Sequence, residues 1–133
     1  MSDKKKELDP ELKKFSDSYV EMFGHLPPLP GSRLAFSGEL DPEFLRDAER
    51  MRAKAFYNKT FDLKTTQLIL FGMLLVEHNQ VGATAHASAA RRAGASWEEL
   101  HTVVELATAT GALAPFNQGS ALLNGIREKE KGG

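Results

Sequence analysis

A chain of 133 residues with 41% hydrophobic residues, 17 Lys and Arg against 18 Asp and Glu, and no cysteine has room for one ordinary core. Its formal charge of −1 argues against nucleic acid or an anionic membrane surface as the main partner, since both require a basic excess. The lack of cysteine removes disulfides, thiolate nucleophiles, iron–sulfur clusters and cysteine-based zinc sites together.

The longest apolar stretch, Leu68 to Val76, is about half of what a bilayer-spanning helix needs. No apolar block follows the basic residues near the N-terminus, so that segment does not read as a secretory signal. The expectation is a soluble cytoplasmic protein forming a single domain over 1–133, with 1–8 and 128–133 as mobile ends.

Five Val and two Ile against seventeen Leu and sixteen Ala is a helix former's balance, and the fold class reads as all-α with about five to six helices. Asp9-Pro10-Glu11 supplies a cap, a first-turn proline and an acidic start for a helix to about Phe23, with Leu12, Phe15, Tyr19 and Phe23 on one side and Gly24 as its stop. The segment His25 to Gly31, with three prolines, reads as a semi-rigid loop.

Asp41-Pro42-Glu43 opens a second helix to about Tyr57, with Phe44, Leu45, Ala48, Met51 and Ala55 as its apolar stripe. Asp62 caps a third helix through about Val76 that is apolar almost all the way round and is therefore expected to be central. The polar junction Glu77-His78-Asn79-Gln80 leads into an alanine-rich helix, Val81 to Ala93, stopped by Gly94. Ser96-Trp97-Glu98-Glu99 fits a capping box for a helix to about Thr110, and Pro115 reads as the start of a last helix.

Four histidines, at 25, 78, 86 and 101, raise metal ligation first. His78 and His86 are eight residues apart, about 12 Å along one helix at about 1.5 Å per residue. There is no HExxH pair and no Asp-rich loop, so no metal site is expected. His101 and Glu105 are spaced for a surface pair, and Trp97 reads as a packing residue over a helix start.

His86 stands among Ala83, Ala85, Ala87, Ala89 and Ala90. Two readings of this spacing stay open: small residues that leave room for a ligand beside a titratable ring, or small residues that let helices pack closely around a satisfied core histidine. Glu77 and His78, at the polar end of an apolar helix, are either partly desolvated titrating groups or ordinary solvated residues. No P-loop, dinucleotide fingerprint or nucleophile elbow is present, and no cofactor is expected.

The run Asp62-Leu63-Lys64-Thr65-Thr66-Gln67-Leu68-Ile69, followed by His86-Ala87-Ser88-Ala89-Ala90-Arg91-Arg92-Ala93-Gly94-Ala95-Ser96 and Glu98-Glu99-Leu100, resembles the carboxymuconolactone decarboxylase family within the alkylhydroperoxidase D-like proteins. The resemblance covers about half of the chain. The peroxidase branch works through a CxxC pair four and seven residues before the histidine, where this chain has Gly82 and Asn79, and the branch's proton-relay glutamate falls at Gln67. A thiol peroxidase is therefore not expected.

The resemblance implies an alkylhydroperoxidase D-like helical bundle assembled as a homo-oligomer, commonly a trimer or hexamer, with active sites near subunit contacts. The type reaction, part of aromatic catabolism, removes CO2 from an unsaturated lactone carboxylic acid without a cofactor, because the conjugated carbonyl accepts the electrons released. On this basis His86 is the expected general acid/base. Glu77 or His78 is the second titrating group, and Arg33 or Arg91 neutralises the carboxylate. Gln67 is a further substrate-contact candidate.

The competing function is a non-catalytic oligomer on the same scaffold that binds a small acid or serves in assembly. An open hollow with a cation and a second titratable group favours the enzyme, whereas a filled alanine–leucine interface favours the alternative.

Overall fold

Three helices begin on proline, and each uses the ring where it costs least. In the computed structural model, which describes residues 9–132, the order is α1 Pro10–Phe23, α2 Pro28–Leu40, α3 Pro42–Phe56, α4 Leu63–Val76, α5 Gln80–Arg92 and α6 Trp97–Gly132. Among the described residues all regular structure is helical, in keeping with the all-α reading. The expected mobile segment 1–8 lies outside the described residues.

Asp9 Oδ1 accepts from the Leu12 N–H at 2.9 Å and Asp41 Oδ1 from the Phe44 N–H at 3.0 Å, capping α1 and α3. Asp62 Oδ1 accepts from the Thr65 N–H at 2.7 Å, and that bond holds the Asp62 carboxyl below its ordinary range.

The expected loop over His25 to Gly31 holds for His25 to Pro27, which are not helical, and α2 corrects it from Pro28 on. Pro28 and Pro30 are the first and third residues of a helix, and an N–H is unused in the first turn of any helix, so neither ring breaks a bond. The first intrahelical bond runs from the Gly31 N–H to the Pro27 carbonyl at 2.9 Å. Arg33 is thereby a helical residue.

The described residues form two compact units that part between Thr66 and Gln67, within α4. In the first, α1, α2 and α3 pack on one another around Leu12, Tyr19, Leu34 and Leu45, with Phe15 and Phe23 against them. The α1 stripe is as expected, but that of α3 is not. Phe44 and Met51 are exposed, and the buried positions are Leu45 and Glu49.

Glu49, only 1% exposed, accepts from the Tyr19 hydroxyl at 3.0 and 3.1 Å and from Arg33 Nη2 at 2.7 Å. Arg33 Nη2 also reaches the Tyr19 oxygen. The Arg52 guanidinium lies 3.6 Å from the centroid of the Tyr19 ring. Burial pushes the Tyr19 phenol up to about 12, against the pull of Arg52 and Arg33 and with the help of Glu49. Burial also lowers the pKa of Arg52.

The second unit is built on Phe71, Ala83, Ala90, Ala95 and Leu100, with Leu68, Leu74, Leu75, Ala87 and Val103 packed against them. Gly72 leaves room for Val103 of α6 against α4, because a Cβ there would sit 3.0 Å from Val103 Cγ1. The expectation that α4 is central holds on one side only. Ile69, Met73 and Val76 remain exposed.

The Ser96 capping box forms in full: Ser96 Oγ accepts from the Glu99 N–H at 3.0 Å, and Glu99 Oε2 accepts from the Ser96 N–H at 3.0 Å. The helix it opens does not end at Thr110. α6 continues through Pro115 to Gly132, taking in residues 128–132 of the expected mobile tail. Pro115 lacks the N–H that the Gly111 carbonyl would accept, but both residues are exposed, so that carbonyl can turn to solvent. His101 and Glu105 form the expected surface pair at 2.8 Å. No helix among the described residues is long and apolar enough to cross a membrane.

Candidate functional site

The site in the second unit starts where α4 stops. The His78 N–H bonds to the Leu75 carbonyl at 3.0 Å and the Asn79 N–H to that of Leu74 at 2.9 Å, the paired bonds of a Schellman stop. His78 occupies the left-handed position with φ 58°, where glycine is the usual occupant and another residue costs about 1 kcal/mol. Asn79 then opens α5, its Oδ1 accepting from the Gly82 N–H at 2.9 Å. These two are the positions where thiol-dependent relatives would carry cysteines, and here they form a helix cap.

One α5 face carries His86, which is 7% exposed and whose Nδ1 lies 2.6 Å from Gln67 Oε1 on α4. With a carbonyl oxygen facing it, Nδ1 carries a proton and donates, which makes Nε2 the basic nitrogen of the neutral ring. Gln67 is fully buried, and among the described residues its Nε2 has no hydrogen-bond partner. An unsatisfied buried amide costs about 1–3 kcal/mol.

The second unit also holds a cavity of about 570 Å³. Its apolar base is Phe71, Leu74, Leu75 and Leu100, and α5 adds Ala83, Thr84, Ala87, Ser88 and Arg91. His86 itself is not part of the wall; Ala83, three residues before it, and Ala87, next to it, are. Ala83 and Ala87 line the cavity and also pack in the core of this unit, while Ala89 and Ala90 are buried and do not line it.

Arg91 is held in place on the wall. Its Nη1 donates to the Ala95 carbonyl at 2.6 Å, and its guanidinium lies 4.3 Å from the centroid of the Trp97 ring. His78 also lines the cavity, but Glu77 does not. Arg33 belongs to the first unit, where Nε and Nη2 both donate to Glu49. Of the six candidates, the structure therefore brings Gln67 to His86 and sets His78 and Arg91 on one cavity.

Thr84, Ser88 and Trp97 are cavity residues that the sequence reading did not place in the site. Trp97 is not a packing lid: it is exposed and stacked with Arg91. The legible signal is the spacing of Gln80, Thr84, Ala87, Ser88 and Arg91, which share one helix face. Among the described residues no three His, Asp or Glu side chains converge as metal ligands would.

A family profile described as Carboxymuconolactone decarboxylase family matches residues 42–124, more than half of the chain. No curated protein and no solved structure gives a significant match.

Proposed function

The chain belongs to the carboxymuconolactone decarboxylase family, and from that premise we propose that it is a cofactor-independent decarboxylase, or a related proton-transfer enzyme, acting on an unsaturated lactone carboxylic acid in aromatic catabolism. The observation that carries this reading is the buried contact between His86 Nδ1 and Gln67 Oε1 at 2.6 Å. It gives the ring of His86 a fixed orientation through Nδ1, as a general acid/base requires.

In the reaction, the bond between the substrate carbon and its carboxylate breaks, CO2 leaves, and the electron pair passes into the conjugated lactone carbonyl. The imidazolium of His86 gives its Nε2 proton to the dienolate carbon, and solvent restores that proton. Gln67 accepts the Nδ1–H in both charge states of the ring, so it holds the ring's orientation through the cycle. Arg91 is the cation assigned to a substrate carboxylate. Arg33 is engaged by Glu49 and is less suited. His78 serves as the second titrating group.

The active assembly is a homo-oligomer, a trimer or hexamer by the family's habit. Along α6 Leu106, Leu113 and Ser120 recur every seven residues, each followed three later by Ala109, Phe116 and Leu123. Phe116 is 70% and Leu113 55% exposed. A stripe at heptad spacing is self-complementary, and a second copy is the partner that fits it.

A second reading rests on one observation: His86 is not on the cavity wall. On that reading the protein binds an acid without transforming it. A screen of unsaturated lactone acids that follows CO2 release and loss of the conjugated chromophore separates the two. Turnover by the wild type that drops at least a hundredfold in His86→Ala, with the helical circular dichroism unchanged, supports the enzyme. Turnover close to wild type in that variant removes His86 from the mechanism.

A further inference from the structure

The cavity of the second unit has two unlike sides. Phe71, Leu74, Leu75 and Leu100 give it a base of hydrocarbon. Two successive turns of α5 each add a pair, Ala83 with Thr84 and Ala87 with Ser88. The alanines pack in the core of this unit, whereas Thr84 and Ser88, about 100° further round the helix, are exposed. The Thr84 hydroxyl donates to the Gln80 carbonyl at 2.8 Å and so offers the cavity an acceptor, while that of Ser88 can donate or accept.

The hydroxyl side ends at a cation. Arg91 follows Ser88 by about 4.5 Å and Thr84 by about 10.5 Å along the axis of α5, at about 1.5 Å per residue. No Asp or Glu lines the cavity, so the charge of Arg91 is met there by the Ala95 carbonyl and the face of Trp97 alone. Further donors of the guanidinium are left for an anion.

From this arrangement we propose that the cavity binds a facially amphipathic carboxylic acid, with hydrocarbon on one face, hydroxyl or carbonyl oxygens along the other, and its carboxylate on Arg91. The volume of about 570 Å³ suits a drug-sized molecule. A wholly apolar acid would strip water from both hydroxyls without replacing its hydrogen bonds, and a wholly polar one would leave the hydrocarbon base uncovered. Hydroxyls at fixed spacing on a helix favour a ring-built body over a flexible chain, which loses more freedom on binding. The inference shares with the proposed reaction only the assignment of a carboxylate to Arg91, and it holds whether or not His86 transforms what is bound.

The probes are acids of one skeleton, used below their micellar concentrations: cholate, hydroxylated along one face; 5β-cholanate, the same acid without hydroxyls; and methyl cholate, the same face without the charge. Trp97 is the only tryptophan and lies on the wall, so its emission reports occupancy, and calorimetry gives a second measure. Cholate is expected to saturate the protein and to bind about threefold or more tighter than 5β-cholanate, the reverse of the order that hydrophobicity dictates. Methyl cholate is expected to bind about tenfold or more weakly than cholate, and Arg91→Gln, followed by calorimetry, is expected to remove that difference.

The variant that isolates the hydroxyl side is Thr84→Val with Ser88→Ala. Both positions are exposed and outside the core cluster, so helical circular dichroism is expected to be unchanged while the preference for cholate over 5β-cholanate is lost. The proposal is overturned if no acid saturates, if 5β-cholanate is the tighter ligand of the wild type, if methyl cholate binds as tightly as cholate, or if the double variant keeps the preference. Trp97 emission that responds to protein concentration but to no acid makes a second copy the occupant and overturns it as well. A failure of binding here leaves lactone turnover to be judged by His86→Ala, so the two readings fall separately.

Discussion

Tyr19 and Glu49 show how far one side chain's chemistry depends on others remote in sequence. The phenol is raised to about 12, chiefly by burial, so the folded state holds its proton more tightly than the unfolded chain, whose tyrosine has a pKa of about 10. The contribution to stability is complete below pH 10 and is lost as the pH rises through about 12. In a Tyr57→Phe variant, which leaves Tyr19 as the remaining phenol of the two in the chain, the phenolate absorbance is expected to appear only near pH 12 and to coincide with alkaline unfolding. A titration midpoint near 10 with the fold intact would show Tyr19 to be solvated. None of this was legible in the sequence. Glu49 lies among the charged residues of α3, and only the meeting of α1, α2 and α3 turns it inward. The His86–Gln67 contact was half legible: the resemblance aligned Gln67 with a proton-relay position, but its distance from the ring required the packing of α4 on α5.

Helix boundaries were legible where a cap is local and misread where proline was taken as a breaker. The Asp9, Asp41, Asp62 and Ser96 starts each rest on a side chain and an N–H three residues apart, which a short window of sequence contains. Ser96→Ala is accordingly expected to cost about 1 kcal/mol, measured as a lower urea midpoint with unchanged slope. An unchanged midpoint would mean that packing of Leu100 alone anchors the start of α6. The two proline errors share a cause. Pro28 and Pro30 fall where no bond is lost, and Pro115 falls where the freed carbonyl is exposed, so in both places the usual penalty is reduced by position. Sequence pattern gives the residue type but not that context.

At the scale of the whole molecule, the all-α class was legible from composition, and the family from ordered motifs of α4 to α6. The outward faces were not, since periodicity marks a stripe as apolar without saying what covers it. Phe44, Met51, Leu113 and Phe116 are all apolar and exposed. Sedimentation equilibrium is expected to give a multiple of the 14.6 kDa chain, and Leu113→Glu with Phe116→Glu is expected to reduce it to the single-chain mass, because a charge at a buried heptad position opposes pairing. A wild-type chain that sediments at 14.6 kDa at all concentrations would refute the assembly through α6.

Asn79 ends α4 through its backbone N–H and begins α5 through its side chain, so this junction has no spare residue. Adding or deleting one amino acid there would turn α5 by about 100° about its own axis and carry the imidazole of His86 away from the amide of Gln67. The junction is therefore constrained in residue number and, at Asn79, in residue identity as well, since the cap of α5 is that residue's own side chain.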